Sequence, residues 1–186
     1  MKSITRFIEE KLGLKVNAEK SRVDKPKGIK YLGVGFYYDS FAKGYKARPH
    51  SKTVAKFRVQ MKKYTCRSWG VSNGYKVQKL NQLIRGWINY FRIGSMKKLC
   101  KRLDKHIRYR IRMCIWKHWK TPQNRAKNLM KLGINRKRAW STAYAGARIA
   151  RICQRGAMNV AVTKERLARF GLVSMLEYYT ERSVAC

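Results

Sequence analysis

The chain has 186 residues, of which 45% are hydrophobic and 12% aromatic, and its formal net charge at pH 7 is +36. The apolar content excludes a disordered basic tail, and no apolar run approaches the roughly 20 residues of a membrane-spanning helix. A charge this high opposes compaction unless a polyanion screens it. Nucleic acid is therefore the expected partner, with an anionic membrane surface as the competitor.

The first fifty residues combine one helix with β-like segments. Apolar residues at helical spacing predict a short amphipathic helix that ends at Gly13. Two β-like segments follow, at 14–17 and 29–38, and glycines in the second indicate bends or a close backbone approach. A loop is expected over 39–49. The sequence thus predicts a small β element near the N-terminus.

After Pro49 the pattern is helical almost throughout. The first helix is expected to be capped by Ser51, the next to end at Gly94, and a long one to run from Ser95 to about Lys120. Shorter helices are predicted over 122–132, 134–146 and 157–171, followed by a frayed tail. The predicted core is the apolar stripe of the first three helices: Val54, Phe57, Met61, Tyr64, Val77, Leu80, Ile84, Trp87, Ile88, Phe91, Leu99, Cys100, Leu103, Ile107, Ile111, Cys114 and Ile115.

Acidic residues are distributed very unevenly. Five of the nine fall within the first forty residues, whereas Asp104 is the one acid between Ser40 and Lys164. This change in composition marks a candidate boundary near Asp39. Solvated helices usually mix charge signs, because Glu–Lys pairs at i,i+4 stabilise them. The lack of acids in these helices therefore favours a role in binding a polyanion over a role in solubility alone.

The cationic residues extend over many helical turns instead of one recognition helix. That distribution favours a folded RNA over sequence-specific DNA reading. Four tryptophans could stack on bases, although core packing is the favoured role of each: Trp69, Trp116, Trp119 and Trp140. The candidate RNA-binding residues are Arg48, Lys52, Lys56, Arg58, Lys62, Lys63, Lys97, Lys98, Lys101, Arg102, Lys105, Arg108, Arg112, Arg136, Lys137 and Arg138.

Neither a catalytic site nor a metal site is expected. No paired carboxylates, nucleophile–histidine arrangement or phosphate-binding loop stands out. Cys114 and His118 are spaced to share a metal on a helix, but no further ligand pair completes that site, so core packing is favoured. The odd number of cysteines argues against a disulfide framework. Because Glu9 and Glu10 also interrupt any signal peptide, we expect a cytoplasmic protein, in the bacterial cytosol or nucleoid, that is not secreted.

The segment "LGLKVNAEKSRVDKPKGIKYLGVGFYY" resembles the end of the palm domain of group II intron-encoded reverse transcriptases. In that family a hairpin with an FLG or YLG motif grips the primer strand. The resemblance implies that this primer-grip-like element comprises Tyr31, Leu32, Gly33, Val34 and Gly35. Its glycines would then leave room for a nucleic-acid backbone.

The rest of the chain resembles the thumb and maturase-specific region, or domain X, of the same proteins. "RPHSKTVAKFRVQMKKYT" is similar to the first thumb helix, and "RLARFGLVSMLEYY" to the end of domain X. In "LNQLIRGWINYFR" the family motif would comprise Arg85, Gly86, Trp87, Asn89, Tyr90 and Phe91. We expect Gly86 to let a neighbouring helix approach closely. The resemblance implies a palm end at 1–47, thumb plus domain X at 48–180, and a frayed tail at 181–186.

The fold implied is mainly α with a small N-terminal β element, a helical thumb bundle followed by a helical maturase domain. No YADD-type motif occurs, so the chain alone is not expected to polymerise DNA, and no Cys pairs indicate an HNH endonuclease. The resemblance implies binding of intron RNA and assistance to its folding and splicing. The alternatives are the C-terminal part of a split or truncated polymerase that needs an N-terminal partner, and a general basic RNA or DNA binder. No cofactor is expected for this chain, whereas Mg²⁺ is expected for the RNA and for a polymerase site.

Overall fold

A computed structural model of the chain describes residues 2–17, 19, 21, 23–154 and 156–184. Its N-terminal part holds one helix and a three-stranded antiparallel sheet in the order β1-β2-β3. The expected hairpin is present, but residues 14–17 are irregular and a third strand replaces the expected loop. The elements are α1 (Lys2–Leu12), a 3₁₀ turn (Pro26–Gly28), β1 (Lys30–Tyr31), β2 (Val34–Asp39) and β3 (Gly44–Pro49).

Helices make up most of the remaining described chain, so the mainly α fold with a small β element is confirmed. The predicted helix over 157–171 divides at Thr163, whose side chain accepts a hydrogen bond from the amide of Arg166 and begins a new helix. Helix is also found from 175 to 184, where a tail frayed from 181 was expected; residues 185 and 186 lie outside the described part. The helices are α2 (Ser51–Tyr64), α3 (Asn73–Phe91), α4 (Lys97–His118), α5 (Pro122–Lys131), α6 (Arg136–Tyr144), α7 (Ile149–Gln154), α8 (Ala157–Ala161), α9 (Lys164–Arg169) and α10 (Met175–Val184).

The helix starts follow ordinary capping chemistry, with one correction. The cap of α2 is His50 and not Ser51, because its Nδ1 accepts a hydrogen bond from the amide of Lys52 at 3.2 Å. Ser72 caps α3 in the same manner. Thr121 caps α5, with a proline at the first helical position, where the missing N–H costs nothing.

The core lies between α2, α3 and α4 and continues beneath the C-terminal helices. Most predicted stripe positions are buried, and Met61 of α2, Leu80 of α3 and Cys100 of α4 are fully enclosed. Tyr64 is half-buried, and the half-buried Trp87, Leu99 and Ile115 pack against this core. An apolar stripe of this kind accounts for most helix stability in a protein, because short isolated helices are marginal in water.

The sheet is fixed to the helices through its turns. The carbonyl of Gly33 accepts hydrogen bonds from the amide of His50 and the hydroxyl of Thr53, both at 2.9 Å. The amide of Ser95 donates to the carbonyl of Ala47 at 2.8 Å. The boundary expected between 47 and 48 therefore falls inside β3, which packs on the helices that follow it.

Gly94, and not Gly86, is the glycine that close packing requires. A Cβ on Gly94 would lie 3.3 Å from both the Ala47 carbonyl oxygen and the Arg48 Cα. A Cβ on Gly86 would meet nothing within 4 Å, and Gly86 is exposed. The expectation that Gly86 admits a neighbouring helix is therefore wrong, since no described residue approaches it.

Helix α10 is held on α4 by a buried carboxylate. Asp104 accepts hydrogen bonds from the amide of Met175 at 2.8 Å, the amide of Leu176 at 3.0 Å and the hydroxyl of Ser174 at 3.1 Å. The first amides of a helix have no partner within the helix, so a carboxylate at this point satisfies them and complements the helix dipole. Among the described residues no helix is long and apolar enough to cross a membrane.

Candidate nucleic-acid interface

The cations of α2 and α4 converge on one face. His106 shows this most directly, because burial lowers its pKa and the nearby charges of Arg110, Arg58 and Lys62 lower it further. Arg58 and Lys62 lie on α2, and Arg110 lies on α4 with His106. Both helices therefore place positive charge around His106. Positive charge of this kind attracts phosphates and disfavours protonation of His106.

Most of the predicted RNA-binding side chains on these helices are accessible to solvent. Arg108 and Arg112 are half-buried, which distinguishes them from the others. Arg48, on β3, is exposed and lies over the ring of Tyr37, with its guanidinium carbon 5.0 Å from the ring centroid. The exposed members on α2 and α4 are Lys52, Lys56, Arg58, Lys62, Lys63, Lys97, Lys98, Lys101, Arg102 and Lys105.

Two arginines of α4 are committed to the fold. Arg110 donates from Nε to the Thr65 hydroxyl at 3.0 Å and from its terminal nitrogen to the Thr65 carbonyl at 3.0 Å, which closes the C-terminus of α2. Arg112 donates to the carbonyl of Val162 at 2.9 Å. We therefore assign Arg112, predicted as RNA-binding, to the fold, since its guanidinium holds α4 against the segment after α8.

Helix α6 forms a second cationic face with an aromatic pair. Arg136, Lys137 and Arg138 are all exposed in its first turn. Trp140 and Tyr144, one turn apart, stack with ring centroids 5.7 Å apart and an interplanar angle of 20°. Stacked rings beside cations suit an unpaired base and its phosphate, because every base has a π-face that can stack.

The other tryptophans divide between core and surface. Trp116 is buried, with the Arg125 guanidinium 5.0 Å from its ring centroid, so it is a core residue and not a stacking platform. Trp119 is half-buried against the same core. Trp69 is half-buried between Tyr64 and Tyr75, with ring centroids 6.1 and 5.7 Å away.

Counter-ions from the protein are scarce on these faces. Among the described residues the ion pairs Arg6–Glu10, Asp39–Lys46 and Lys164–Glu177 all lie outside α2–α6. Asp104, the acid within that span, is occupied by α10. In the described part of the chain, carboxylates therefore do not neutralise the positive charge of α2, α4 and α6.

A comparison with known protein families identifies this helical region. Residues 54–133 match the family model of the group II intron, maturase-specific domain. The similarity to that domain extends from the first turn of α2 to just after α5. The expected resemblance to the C-terminal part of a group II intron maturase is thereby confirmed. No curated protein shows significant sequence similarity to the chain.

The motif of the maturase-specific domain serves mainly as scaffold. Trp87 packs between Phe57 and Phe91, with ring centroids 4.8 and 5.2 Å away. Tyr90 donates its hydroxyl to the Leu32 carbonyl at 3.0 Å, and Asn89 accepts from the Tyr178 hydroxyl at 3.2 Å. The motif thus ties the sheet and α10 to the domain, whereas Arg85 and Gly86 remain on the surface.

The primer-grip-like residues lie at the first turn of the sheet. Tyr31 and Leu32 are about two-thirds exposed, at 68% and 67%. Close contacts within the protein account for both glycines, which the sequence did not suggest. A Cβ on Gly33 would lie 3.1 Å from the Thr53 hydroxyl, and a Cβ on Gly35 would lie 3.2 Å from the His50 ring. Gly33 also has φ +81°, in the left-handed region that favours glycine. Val34 is half-buried beside them.

No metal cluster appears in the described part of the chain, and three of its cysteines are buried thiols. No group of three or more His, Cys, Asp or Glu side chains is arranged to hold a metal. Burial raises the pKa of both Cys100 and Cys153 to about 12, which keeps these thiols protonated. Burial also raises the pKa of Cys114, consistent with the packing role expected for it.

Sequence reasoning missed two participants in these faces. His106 received no role, since its cationic surroundings come from α2 as well as from its own helix. Tyr144 was not named, although an aromatic four residues after Trp140 is a readable sign that two rings share a helix face.

Proposed function

We propose that this chain binds folded group II intron RNA and assists its folding and splicing. One observation carries the proposal: the segment that matches the maturase-specific domain and the adjoining α6 present exposed cations, and no described carboxylate pairs with them. The RNA performs the splicing chemistry, with its own Mg²⁺, and the protein supplies a surface. We propose no cofactor for the chain itself.

The cations act where RNA segments pack together. Phosphates repel one another at such junctions, and Lys or Arg side chains that replace condensed counter-ions lower the free energy of the packed arrangement. Arg48 and the exposed residues of α2 and α4 form one such surface, and Arg136, Lys137 and Arg138 another. Trp140 and Tyr144 add stacking, which fixes the orientation of an unpaired base.

A splicing assay tests this role. A group II intron RNA is incubated at a Mg²⁺ concentration where it splices slowly alone, and we expect added protein to raise the rate. Replacing Arg136, Lys137 and Arg138 with Gln should weaken that effect. Replacing Lys2, Lys11 and Lys15 with Gln removes the same charge from the N-terminal region and should change it little. Equal splicing with and without the wild-type chain would contradict the proposal.

A second candidate is the C-terminal part of an RNA-directed DNA polymerase that works with an N-terminal reverse transcriptase fragment. The apolar face of α1 favours it, since none of its described residues is buried and Ile4, Phe7 and Leu12 are each more than half exposed. A partner that covers this face would bury them. Phe7→Asp should then abolish a complex with a fragment that carries the polymerase carboxylates. The absence of any complex with the wild-type chain would remove this candidate.

A further inference from the structure

Gly86 lies in the middle of α3, and no contact with the described residues explains why a glycine occupies this position. It is exposed, its φ lies outside the left-handed region, and a Cβ there would meet nothing within 4 Å. Glycine is among the poorest residues for a helix interior, because it loses the most backbone freedom on folding. Gly33 and Gly94, by contrast, are each approached closely by other parts of the protein.

The exposed side chains near Gly86 are mostly polar and uncharged, whereas the exposed side chains of α4 are mostly cationic. Gln82 and Asn89 lie one turn before and one turn after it, and Gln78 lies two turns before; all three are exposed. Amide side chains both donate and accept hydrogen bonds, unlike Lys and Arg, which only donate. The exposed Arg85 adjoins this group, and no carboxylate occurs in α3.

These features favour a nucleic acid over a protein helix as the occupant. The centre of a protein–protein contact is usually apolar. Around Gly86 the exposed side chains of α3 are amides, Arg85 and Tyr90, whose hydroxyl donates to the Leu32 carbonyl. The whole chain carries a charge of +36, which attracts a polyanion and repels most basic partners. Gly86 leaves a shallow gap that lets the helix backbone approach the partner.

We infer that the outer face of α3 around Gly86 binds the ribose edge of RNA, that is, 2′-hydroxyls and base edges of a shallow minor groove. The minor groove of A-form RNA is wide and presents those groups together. Gln82 supplies a donor and an acceptor for them, and Asn89, whose Oδ1 accepts from Tyr178, supplies its amide donor. Gly86 permits the close approach, and Arg85 contacts an adjoining phosphate. This site rests on the proposed function, and it differs from the phosphate surfaces of α2, α4 and α6 because it distinguishes RNA from DNA.

The test compares Gly86→Leu with Gly74→Leu. Gly74 is also exposed on α3, and its added Cβ would have ordinary room, 3.9 Å from the Ser72 hydroxyl. Affinity is measured for an RNA hairpin and for a DNA hairpin of the same sequence, over a series of salt concentrations. Thermal unfolding verifies that both variants are folded.

We expect Gly86→Leu to weaken RNA binding about tenfold, equivalent to the removal of one or two hydrogen bonds, and to leave DNA binding unchanged. The salt dependence should match that of the wild type, since the phosphates stay bound. Gly74→Leu should behave as wild type. Three results would overturn the inference: unchanged RNA affinity in Gly86→Leu, an equal loss for RNA and DNA, or a change in self-association without a change in RNA affinity.

Failure of the proposed function would give results different from failure of the ribose-edge site. If the wild-type chain did not distinguish a group II intron RNA from an unrelated folded RNA, the maturase role would fail, whatever Gly86→Leu did. If the wild type bound intron RNA selectively and Gly86→Leu matched it on every hairpin, the ribose-edge site alone would fail.

Discussion

The hydroxyl of Tyr90 donates a hydrogen bond to the carbonyl oxygen of Leu32 at 3.0 Å. This bond joins the family motif in α3 to the turn of the primer-grip-like hairpin, fifty-eight residues earlier. Leu32 has φ +47°, an uncommon conformation for a residue with a Cβ. The helix therefore stabilises a strained turn that the hairpin alone would hold less well.

Tyr90→Phe should loosen that turn while leaving the helices intact. Loss of one hydrogen bond at a partly exposed site costs about 0.5–1.5 kcal/mol. Urea unfolding measures this cost, and hydrogen exchange should show faster exchange in the β1–β2 turn. Tyr75→Phe is the control, because Tyr75 is exposed and its hydroxyl bonds to no described residue. Equal stability of wild type and Tyr90→Phe would indicate that the bond contributes nothing.

Asp104→Asn should destabilise the fold by about 1–3 kcal/mol, because the amide cannot accept all the hydrogen bonds that the buried carboxylate accepts from the start of α10. Glu181→Gln changes the net charge equally at an exposed position of α10 and should have little effect. Denaturant unfolding compares the two variants. A variant Asp104→Asn as stable as Glu181→Gln would refute the capping role.

Gly86, within α3, and Gly94, just after its end, should respond oppositely to alanine. Gly86→Ala should stabilise the protein by about 0.5–1 kcal/mol, because alanine is the better helix former and the Cβ has room. Gly94→Ala should destabilise it by about 1–3 kcal/mol, since the Cβ would press on the backbone of Ala47 and Arg48. Melting temperatures of the pair measure this contrast. Shifts in the same direction would refute the packing described for these positions.

Replacing Lys101, Arg102 and Lys105 with Gln should flatten the dependence of log K on log salt by up to about 0.9 for each phosphate that is no longer neutralised. All three side chains are exposed on α4. The control variant with Lys2, Lys11 and Lys15 changed to Gln alters the net charge equally and should keep the wild-type slope. An unchanged slope in the α4 variant would remove this helix from the RNA surface.

The pH dependence should report on His106. Its pKa lies below the ordinary 6.5 because of burial and the charges of Arg110, Arg58 and Lys62. The stability gained from keeping it neutral is complete above pH 6.5 and is lost as pH falls through the lowered folded pKa. Bound phosphates would raise that pKa, so RNA affinity should increase as pH falls over the same range.

Titrations of unfolding and of RNA binding from about pH 7 down to about pH 5 measure both trends. His106→Gln should flatten both curves, whereas His118→Gln, exposed at the end of α4, should flatten neither. Parallel curves for wild type and His106→Gln would contradict the placement of this imidazole in the RNA-binding field.

Local sequence patterns predicted the helices well. The stripe from Val77 to Phe91 repeats at helical spacing and is buried as expected except at the half-buried Trp87. Thr121 with Pro122 marks the start of α5 correctly. These features depend on residues close together in the chain. Strand β3 was missed because Gly44, Lys46 and Pro49 obscure the alternation of a strand, and only its pairing with β2 makes it one.

The roles of individual polar residues depended on distant neighbours, which spacing alone does not reveal. In the sequence Asp104 is an isolated acid in a basic helix, and only the structure shows that it binds the start of α10. Arg112 reads as one more surface cation, yet its guanidinium bonds to Val162, fifty residues away. Gly86 and Gly94 look alike in sequence and differ because only Gly94 lies against a strand.

The most direct test of the maturase role is the ratio of two affinities at one salt concentration. Binding of the purified chain is measured to a group II intron RNA and to an unrelated folded RNA of equal length. We expect tighter binding to the intron RNA, with a steep salt dependence for both because both present phosphates to the same cations. Equal affinities would leave a general basic RNA binder and contradict the proposed role in group II intron folding and splicing.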